Sequence, residues 1–456
     1  MARHSLRDIA RHLSRAEAEA ICKRVLELST ADECRVTLNS GVRANTRFAV
    51  NQISTAGDNY NASVNIRAVF GKRVANVSVN RLDDAALRQA VENAERIAKL
   101  APEDPELLPE LGPQDYEESI VWNDATASLE PDARADAVRE VTERARAAGL
   151  VSTGYLEAQA QAFAIANSSG LFAYQRQTGV AFTTTVRTAD GQGSGWAGAS
   201  DNDFTRIDPR ALAERAIEKA RRSVNAAAIE PGRYTVVLEP TAAANLVQLI
   251  GGALNARNAD EGRSFFSKAG GGNKIGEKVV DERVTLRSNP LDPRVPANTV
   301  GGDGLPTRGG TWIEDGVVKN LAYDRFWAQR TGKEPSGTGG TIAMDGGDET
   351  VESMIASTQR GLLVTRFWYI RPVDPRTILF TGLTRDGTFL IENGRVTRPV
   401  KNLRYNESPI FMLNNLLAMG RPERVSASES GGPGQAVMVP PMKVRDFNFT
   451  STSDAI

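Results

Sequence analysis

The stretch Pro231-Gly-Arg-Tyr-Thr-Val-Val-Leu-Glu-Pro240 divides the chain into two halves of different character. Its centre, residues 234–238, is apolar and predicts a strand, which Pro240 ends because proline has no N–H to donate. Thr241 then caps a predicted helix with an apolar face. Beyond that helix the chain is rich in glycine and in strand patterns, which predicts a β-rich C-terminal domain over residues 229–456.

Two dipeptides in this C-terminal region, Asp315-Gly316 and Asn393-Gly394, predict β-hairpins, because both central residues of a type I′ turn need positive φ. Apolar residues alternate with polar ones on either side of each dipeptide. The same pattern predicts four buried strand positions, Leu362, Val364, Phe367 and Tyr369. We therefore expect the C-terminal domain to be mostly antiparallel sheet.

The half that precedes the dividing stretch shows the order helix, strands, helix twice. In the first copy, Ser14 and Glu17 form a capping-box pattern that opens a helix ending near residue 28. Apolar alternation follows over residues 34–79 and predicts half-buried strands, and a second helix is predicted from Asp83. This first copy therefore has the pattern of a helix layer on an antiparallel sheet.

The second copy begins with a predicted helix over residues 132–148, followed by strands over 151–187 and a helix from Asp208. Prolines between the copies mark residues 102–116 as a linker by composition. The predicted fold is α+β, with two helix/antiparallel-sheet layers in the N-terminal half and the β-rich domain after them. The predicted domains are residues 1–101, the linker, residues 117–228 and residues 229–456.

The charge balance excludes several classes of partner. Lys and Arg number 55 and Asp and Glu 56, so the net charge of −1 leaves no basic footprint for nucleic acid. No apolar run reaches the roughly 18 residues that a membrane-spanning helix needs. The first residues are charged and lack the apolar core of a signal peptide, so we expect a cytoplasmic protein without nucleic-acid or membrane partners.

Histidine is nearly absent, and this restricts the chemistry available to the chain. The two histidines, His4 and His12, both lie in the first dozen residues. Beyond them the chain cannot build a Ser-His-Asp triad, a Cys-His pair or a His-ligated zinc site. The two cysteines, Cys22 and Cys34, match no zinc-binding spacing, and buried structural roles are favoured for them. Any hydrolysis would need carboxylates, Lys, Tyr or Ser, or groups from another chain.

Two acidic clusters offer oxygen ligands for a hard cation: Asp345-Gly-Gly-Asp348-Glu349 and Asp201-Asn-Asp203. Both lie among turn-forming residues, where acidic side chains usually make turns and face water, and this interpretation is favoured. The glycine-rich segment Gly337–Thr341 lacks the lysine of a phosphate-binding loop and is interpreted as a loop.

Five stretches together resemble the TldD/PmbA family, also described as modulators of DNA gyrase. Besides the dividing stretch they are Lys274–Val279, Gly310–Gly316, Gly361–Arg366 and Phe389–Val400, in the order that the family shows. The resemblance extends from about residue 14 to residue 448. It implies a two-subunit cytoplasmic protease that cleaves unfolded or leader peptides. In that family a TldD-like subunit holds a catalytic metal with a His-Glu-x-x-x-His helix and a distal Cys, and a TldE/PmbA-like subunit lacks these ligands.

The resemblance places the family's metal positions on residues of this chain that cannot bind metal. Gly251 and Gly252 take the places of the first His and the Glu, Ala256 that of the second His, and Ser430 that of the distal Cys. Zinc hydrolysis needs about three protein ligands and an open position for water. We therefore expect no catalytic residue, no metal ligand and no cofactor in this chain, and zinc in the partner subunit.

Four residues after the degenerate helix are candidates for substrate binding: Asp260, Glu261, Arg263 and Ser264. They form either a structural loop or a contact with the peptide backbone. The favoured function is a non-catalytic subunit that shapes the peptide cavity of a heteromeric zinc metalloprotease, with a TldD-like partner. The alternative is a stand-alone peptide-binding or scaffold protein; a homodimer and any activity of the isolated chain stay open.

Overall fold

The protein is described by a computed structural model that covers residues 12–336, 341–426, 432, 433 and 435–453. It is a mixed α+β structure with antiparallel sheet and helices in the N-terminal half and β-rich sheets in the C-terminal half, as the sequence predicts. Among the described residues, no helix combines the length and the apolar character that crossing a membrane requires.

The N-terminal half is built on one six-stranded antiparallel sheet. Its strands in chain order are β1 (Glu33–Ala49), β2 (Gln52–Phe70), β3 (Arg73–Val79), β4 (Val151–Asn167), β5 (Phe172–Arg187) and β6 (Ser194–Asp201). Their spatial order is β3-β2-β1-β4-β5-β6. Because β1 pairs with β4 from residue 35 to residue 48, the two helix–strands–helix copies share a single continuous sheet.

Helices cover one face of this sheet. They are α1 (Arg15–Leu28), α2 (Asp84–Leu100), the single turn α3 (Asp124–Ala127), α4 (Pro131–Ala147) and α5 (Pro209–Arg222). The capping box predicted for α1 is confirmed, since the Ser14 N–H donates to Glu17 at 2.8 Å and the Glu17 N–H donates to the Ser14 hydroxyl at 3.3 Å. The carboxylates of Asp83 and Asp208 cap α2 and α5, so both predicted helix starts are confirmed.

The strand residues that face these helices form two apolar clusters. Leu38 and Val64 belong to the cluster under α1 and α2, and Phe48 and Phe182 to the cluster under α4 and α5; all four are fully buried. We call this side of the sheet the covered face. Side chains of a strand alternate between its two sides, so the residues between these apolar positions point to the opposite side, called the open face.

The C-terminal domain contains two sheets. A nine-stranded sheet consists of β7 (Gly232–Leu238), β12 (Arg360–Val364), β13 (Phe367–Asp374), β14 (Leu379–Thr384), β15 (Thr388–Glu392), β16 (Arg395–Pro399), β17 (Leu403–Glu407), β18 (Leu416–Met419) and β21 (Met442–Thr452). A six-stranded sheet consists of β8 (Leu286–Ser288), β9 (Gly310–Glu314), β10 (Val317–Val318), β11 (Ile342–Met344), β19 (Glu423–Val425) and β20 (Val437–Val439). Most pairs are antiparallel, and the parallel ones are β7 with β12 and β11 with β20.

Five short or medium helices accompany these sheets: α6 (Pro240–Ala253), α7 (Ala256–Asp260), α8 (Arg325–Thr331), α9 (Val351–Ala356) and α10 (Pro409–Asn414). Both predicted hairpins are confirmed, with positive φ at Asp315 and Gly316 and at Asn393 and Gly394.

Two local predictions in this domain are wrong. The helix after the dividing stretch begins one residue earlier than predicted, with Pro240 in its first turn and Glu239 at the N-cap, so Thr241 is not the cap. Tyr369 was predicted to be buried, but its side chain is 49% exposed and its φ is +55°. The pairing of β13 with β14 shifts register between Trp368 and Arg371, and this irregularity at Tyr369 interrupts the alternation that buries Phe367.

Candidate functional site

The end of α6 and the start of α7 carry three of the four positions that the sequence resemblance assigns to the family's metal ligands. Gly251 and Gly252 lie in the last turn of α6, where the Leu254 N–H donates to the Gly251 carbonyl at 3.3 Å. Ala256 begins α7; it is fully buried, and its N–H donates to the Ala322 carbonyl at 2.9 Å. The three positions are therefore divided between two helices.

These residues do not fit a zinc ion. Glycine and alanine side chains offer no nitrogen, oxygen or sulfur donor. A Cβ atom added to Gly251 would lie 2.6 Å from Cδ1 of Ile342, so that side chain already occupies the space beside the helix. The fourth position, Ser430, lies outside the described residues, as does the loop segment Gly337–Gly340. In the part of the chain that the structure describes, no three His, Cys, Asp or Glu side chains come together to hold a metal.

Two of the four predicted substrate-binding residues are held by bonds inside the domain. The Asp260 carboxylate accepts hydrogen bonds from the Trp327 indole N–H at 2.6 Å and from the Asn273 side-chain amide at 2.7 Å. Ser264 is buried, and its hydroxyl donates to the Ala253 carbonyl at 3.2 Å. Both side chains thereby fix the loop to α6 and α8.

The other two residues lie at the surface in a chain of ion pairs. Glu261 accepts from the Arg257 Nε at 3.0 Å and also pairs with Arg263. Arg257 in turn donates two bonds of 2.7 Å to Glu106, and its pKa is raised above the ordinary value mainly by that bond. The structure brings Asp260, Glu261, Arg263 and Ser264 into one loop, and their contact with a substrate stays a prediction.

The acidic clusters make structural contacts, but Asp201 ends β6 and is buried, so it does not face water as the turn interpretation expects. One Asp201 oxygen accepts the N–H groups of Asn202 and Asp203 at 2.7 and 3.0 Å, and the other lies 3.3 Å from Arg424 Nε. Asp345 pairs with Arg287 at 2.9 Å. Neither cluster presents a converging set of free carboxylates.

The residues near the N-terminus also form no metal site among those described. Cys22 and Cys34 are buried free thiols, and burial raises the pKa of Cys22 to about 12 and of Cys34 to about 11. The His12 ring packs edge-on against Trp122, with centroids 4.7 Å apart. His4 lies outside the described residues. Buried structural roles for both cysteines, favoured from the sequence, agree with this arrangement.

The open face of the N-terminal sheet holds a cavity that the sequence argument missed. Three rows of residues cross β2, β1, β4 and β5 there, and all of their members except Gln159 and Gly179 line the cavity. The rows are Ser63–Asn39–Phe163–Gln175, Asn61–Gly41–Gln161–Gln177 and Asn59–Arg43–Gln159–Gly179. The cavity measures about 560 Å³, and most of the side chains that line it are carboxamides or hydroxyls. The signal in the sequence was the regular occurrence of Asn, Ser and Gln between the apolar strand residues.

Charged residues of the open face, in this cavity and beyond it, are paired. Arg35 and Arg67 lie 3.4 and 3.6 Å from the two carboxylate oxygens of Glu110, a residue of the predicted linker. Burial lowers the pKa of the Arg67 guanidinium. Arg43, within the third row, lies 3.8 Å from the carboxylate of Glu157. The cavity therefore combines neutral hydrogen-bonding groups with compensated charges.

Comparison with known proteins assigns the chain to a family. Models of the PmbA/TldA metallopeptidase domain 1, central domain and C-terminal domain match residues 34–98, 122–224 and 231–451. The chain therefore belongs to the PmbA/TldD metallopeptidase family.

Relatives and solved structures agree with this assignment. The chain is 25% identical over 317 residues to a metalloprotease of Methanothermobacter thermautotrophicus, covering 64% of this chain and 67% of the relative. It is 23% identical to a metalloprotease TldD homolog of Haemophilus influenzae, over 53% of either chain. The crystal structure of TldE from Thermococcus kodakarensis superposes with a TM-score of 0.83 at 20% identity, covering 95% of this chain and 99% of that one. At this identity the superposition shows a shared fold.

Proposed function

We propose that this chain is the non-catalytic, TldE/PmbA-like subunit of a heteromeric TldD/TldE-type zinc metalloprotease that cleaves unfolded or leader peptides in the cytoplasm. One observation carries the proposal. The metallopeptidase family is matched across the chain, while the positions that the sequence resemblance assigns to the family's metal ligands hold Gly251, Gly252 and Ala256.

The chemistry of the donor groups supports this division of labour. A hydrolytic zinc site needs nitrogen, sulfur or oxygen ligands, and no side chain at these three positions supplies one. A partner of the same family with His-Glu-x-x-x-His would bring the zinc, and two related folds can form a pseudo-symmetric pair. In such a pair this chain shapes the cavity that receives the peptide and stabilises the active subunit.

Purification from the native cell tests the partnership. The full chain is tagged, and proteins that co-purify near equal stoichiometry are identified by mass spectrometry. The expected result is a companion of similar length that carries His-Glu-x-x-x-His. Recovery of the chain alone, or only with a second copy of itself, contradicts the proposal and favours the stand-alone peptide-binding or scaffold protein.

Reconstitution tests the division of labour. The companion is assayed for cleavage of an unfolded peptide with and without this chain, and each purified subunit is analysed for bound zinc. We expect zinc in the companion, none at stoichiometric level in this chain, and faster cleavage when both are present. Tight zinc binding and peptide cleavage by this chain unaided would refute the proposed role.

A further inference from the structure

Part of the open face already holds a segment of the protein's own main chain through side-chain amides. The Val300 N–H donates to the carboxamide oxygen of Gln175 at 3.1 Å, and the amide nitrogen of Gln175 donates to the Val300 carbonyl at 3.2 Å. In the neighbouring row, the Asn298 amide donates to Gln177 at 2.6 Å. The Gln175 carboxamide thus satisfies both main-chain polar groups of one residue, Val300, without contacting its side chain through a hydrogen bond.

A second contact repeats this mode of binding beside the cavity, starting from the β4 residue two positions before Gln161. The amide nitrogen of Gln159 donates to the Pro433 carbonyl at 3.2 Å, and the Ser200 hydroxyl donates to the Gly432 carbonyl at 3.0 Å. Two separate segments of the C-terminal domain are therefore held by polar side chains of the open face. Both contacts use main-chain carbonyls as acceptors.

Between these two segments, several groups of the same type line the cavity. Asn39, Asn59 and Asn61 are exposed on β1 and β2, and Gln161 is half-buried on β4. The middle row has Gly41 at its centre, which leaves space above the sheet. A Cβ atom there would lie 2.3 Å from the Ala160 carbonyl oxygen, so the close approach of β1 to β4 requires glycine.

The spacing of these groups suits an extended chain. Neighbouring rows are two residues apart along each strand, about 6.6–6.8 Å, which is also the two-residue repeat of an extended peptide. Asn59 and Asn61 therefore recur in step with alternate residues of a segment that runs along β2. Carboxamides both donate and accept, as a peptide unit requires. Because Arg43, which lines the cavity, lies 3.8 Å from the Glu157 carboxylate, a neutral main chain is favoured over an anionic ligand.

We propose that the amide-lined cavity of the open face binds an extended segment of the peptide substrate through its main chain, largely independently of sequence. The identity of that peptide as a protease substrate rests on the proposed function. The binding itself is a property of this chain. In this binding mode the peptide main chain is hydrogen-bonded by Asn39, Asn61 and Gln161. The bonds are of the same kind as those from Gln175 to Val300 and from Gln159 to Pro433.

Peptide binding by the full-length chain tests the inference. The probe is a fluorescent, uncharged peptide of about ten residues, long enough to span the cavity when extended. Its dissociation constant is measured by anisotropy for the unaltered chain and for the triple variant Asn39→Ala/Asn61→Ala/Gln161→Ala. A weakening of about ten-fold or more is expected, because several amide hydrogen bonds of modest individual strength are lost.

Two controls make the result specific. The variant Gln89→Ala/Gln329→Ala removes exposed amides from α2 and α8 and should bind the peptide as the unaltered chain does. A peptide with the same side chains but N-methylated main-chain nitrogens should bind the unaltered chain about ten-fold more weakly or worse, because it cannot donate. Circular dichroism and thermal unfolding establish that each variant folds.

Equal binding by the unaltered chain and the triple variant, or undiminished binding of the N-methylated peptide, would overturn the inference. So would the absence of peptide binding by the unaltered chain. Capture of the companion by the triple variant is measured separately. If the companion is retained while peptide binding falls, both proposals stand; if no companion is found but the peptide binds, only the proposed function fails.

Discussion

Around the cavity, the two faces of the N-terminal sheet are built from the same strands and have opposite characters. On the covered face, Leu38 and Val64 are fully buried under helices, and each such side chain contributes about 1.5–3 kcal/mol to folding. Their sequence neighbours Asn39 and Ser63 line a polar cavity on the open face. The difference teaches that a strand can keep its stabilising residues and its ligand-facing residues apart simply by alternation.

The largest expected contrast is in chemical accessibility. Cys22 and Cys34 are 1% and 2% exposed on the covered side, and burial raises the pKa of both thiols. At about pH 8 both should resist alkylation until the protein unfolds, because the thiolate is the reactive form. A cysteine introduced by Asn61→Cys should react about a thousand-fold faster or more, given that a stability of at least about 5 kcal/mol limits unfolding.

Mass spectrometry after timed alkylation with iodoacetamide measures these rates, and the fully denatured protein serves as the reference for all three thiols. Alkylation of Cys22 or Cys34 in the folded protein as fast as at the introduced cysteine would contradict the assignment of the two faces.

The next largest effect is on stability. Phe48 is fully buried and its ring packs edge-on against Phe182, with centroids 6.1 Å apart. The substitution Phe48→Ala should lower the free energy of unfolding by about 3–5 kcal/mol through lost burial and the cavity that remains. The neighbouring residue Arg47 is exposed on the open face, so Arg47→Ala should change stability by less than about 0.5 kcal/mol. Denaturant unfolding measures both, and similar losses for the two variants would contradict the contrast.

A smaller, pH-dependent effect concerns Glu95 at the covered side. Burial of the carboxylate raises its pKa, but hydrogen bonds from Thr30 and Ser29 lower the pKa by more. The pKa of Glu95 is therefore below the ordinary 4.5. The unfolded state therefore binds more protons in acid, and this contribution to stability is present above about pH 4.5 and is lost as the pH falls through the folded pKa. Glu95→Gln should cost about 1–3 kcal/mol at neutral pH.

Unfolding free energies measured across the acid range test this assignment, and the Glu95→Gln variant should show a weaker dependence below about pH 4.5. The matched change on the open side, Glu157→Gln, removes an ion pair with Arg43 and should cost about 1 kcal/mol or less. An unchanged acid dependence in Glu95→Gln would show that other carboxylates carry it.

The smallest expected effect is that of removing an open-face amide. Asn61 is exposed and its side chain lines the cavity, so Asn61→Ala should alter the free energy of unfolding by less than about 0.5 kcal/mol. The comparison variant is Leu38→Ala on the covered face, which should lower the free energy of unfolding by about 2–5 kcal/mol. Thermal unfolding of both variants measures the difference between the two faces. A large loss for Asn61→Ala would mean that the open face stabilises the fold instead of facing a ligand.

Local signals in the sequence predicted most of the regular structure. The capping box at Ser14 and Glu17 and the turn dipeptides at Asp315 and Asn393 act over a few residues, so their outcome depends little on distant parts of the chain. Tyr369 shows the limit of the same reasoning. Its strand shifts register between Trp368 and Arg371, and such an irregularity interrupts the alternation from which burial is predicted.

The predicted linker shows a second limit. Its prolines correctly indicate a segment without helix or a long strand, but composition does not reveal what the segment contacts. Glu106 binds Arg257 of the C-terminal domain, Glu110 pairs with two arginines of the sheet, and the Tyr116 hydroxyl donates to the Gly304 carbonyl at 2.6 Å. These contacts connect residues far apart in sequence, so local patterns do not encode them.

The sequence by itself determined which chemistry this chain lacks. Donor atoms belong to side chains, so the absence of histidine after His12 excludes zinc ligation by histidine in the rest of the chain whatever the fold. Only the tertiary structure decided where Asn61, Gly41, Gln161 and Gln177 meet. The pairing of β1 with β4 joins residues more than a hundred positions apart, and a shift of one residue in that register would turn the amides to the helices. The sequence fixes which side chains are present, whereas strand pairing decides which of them lie close together.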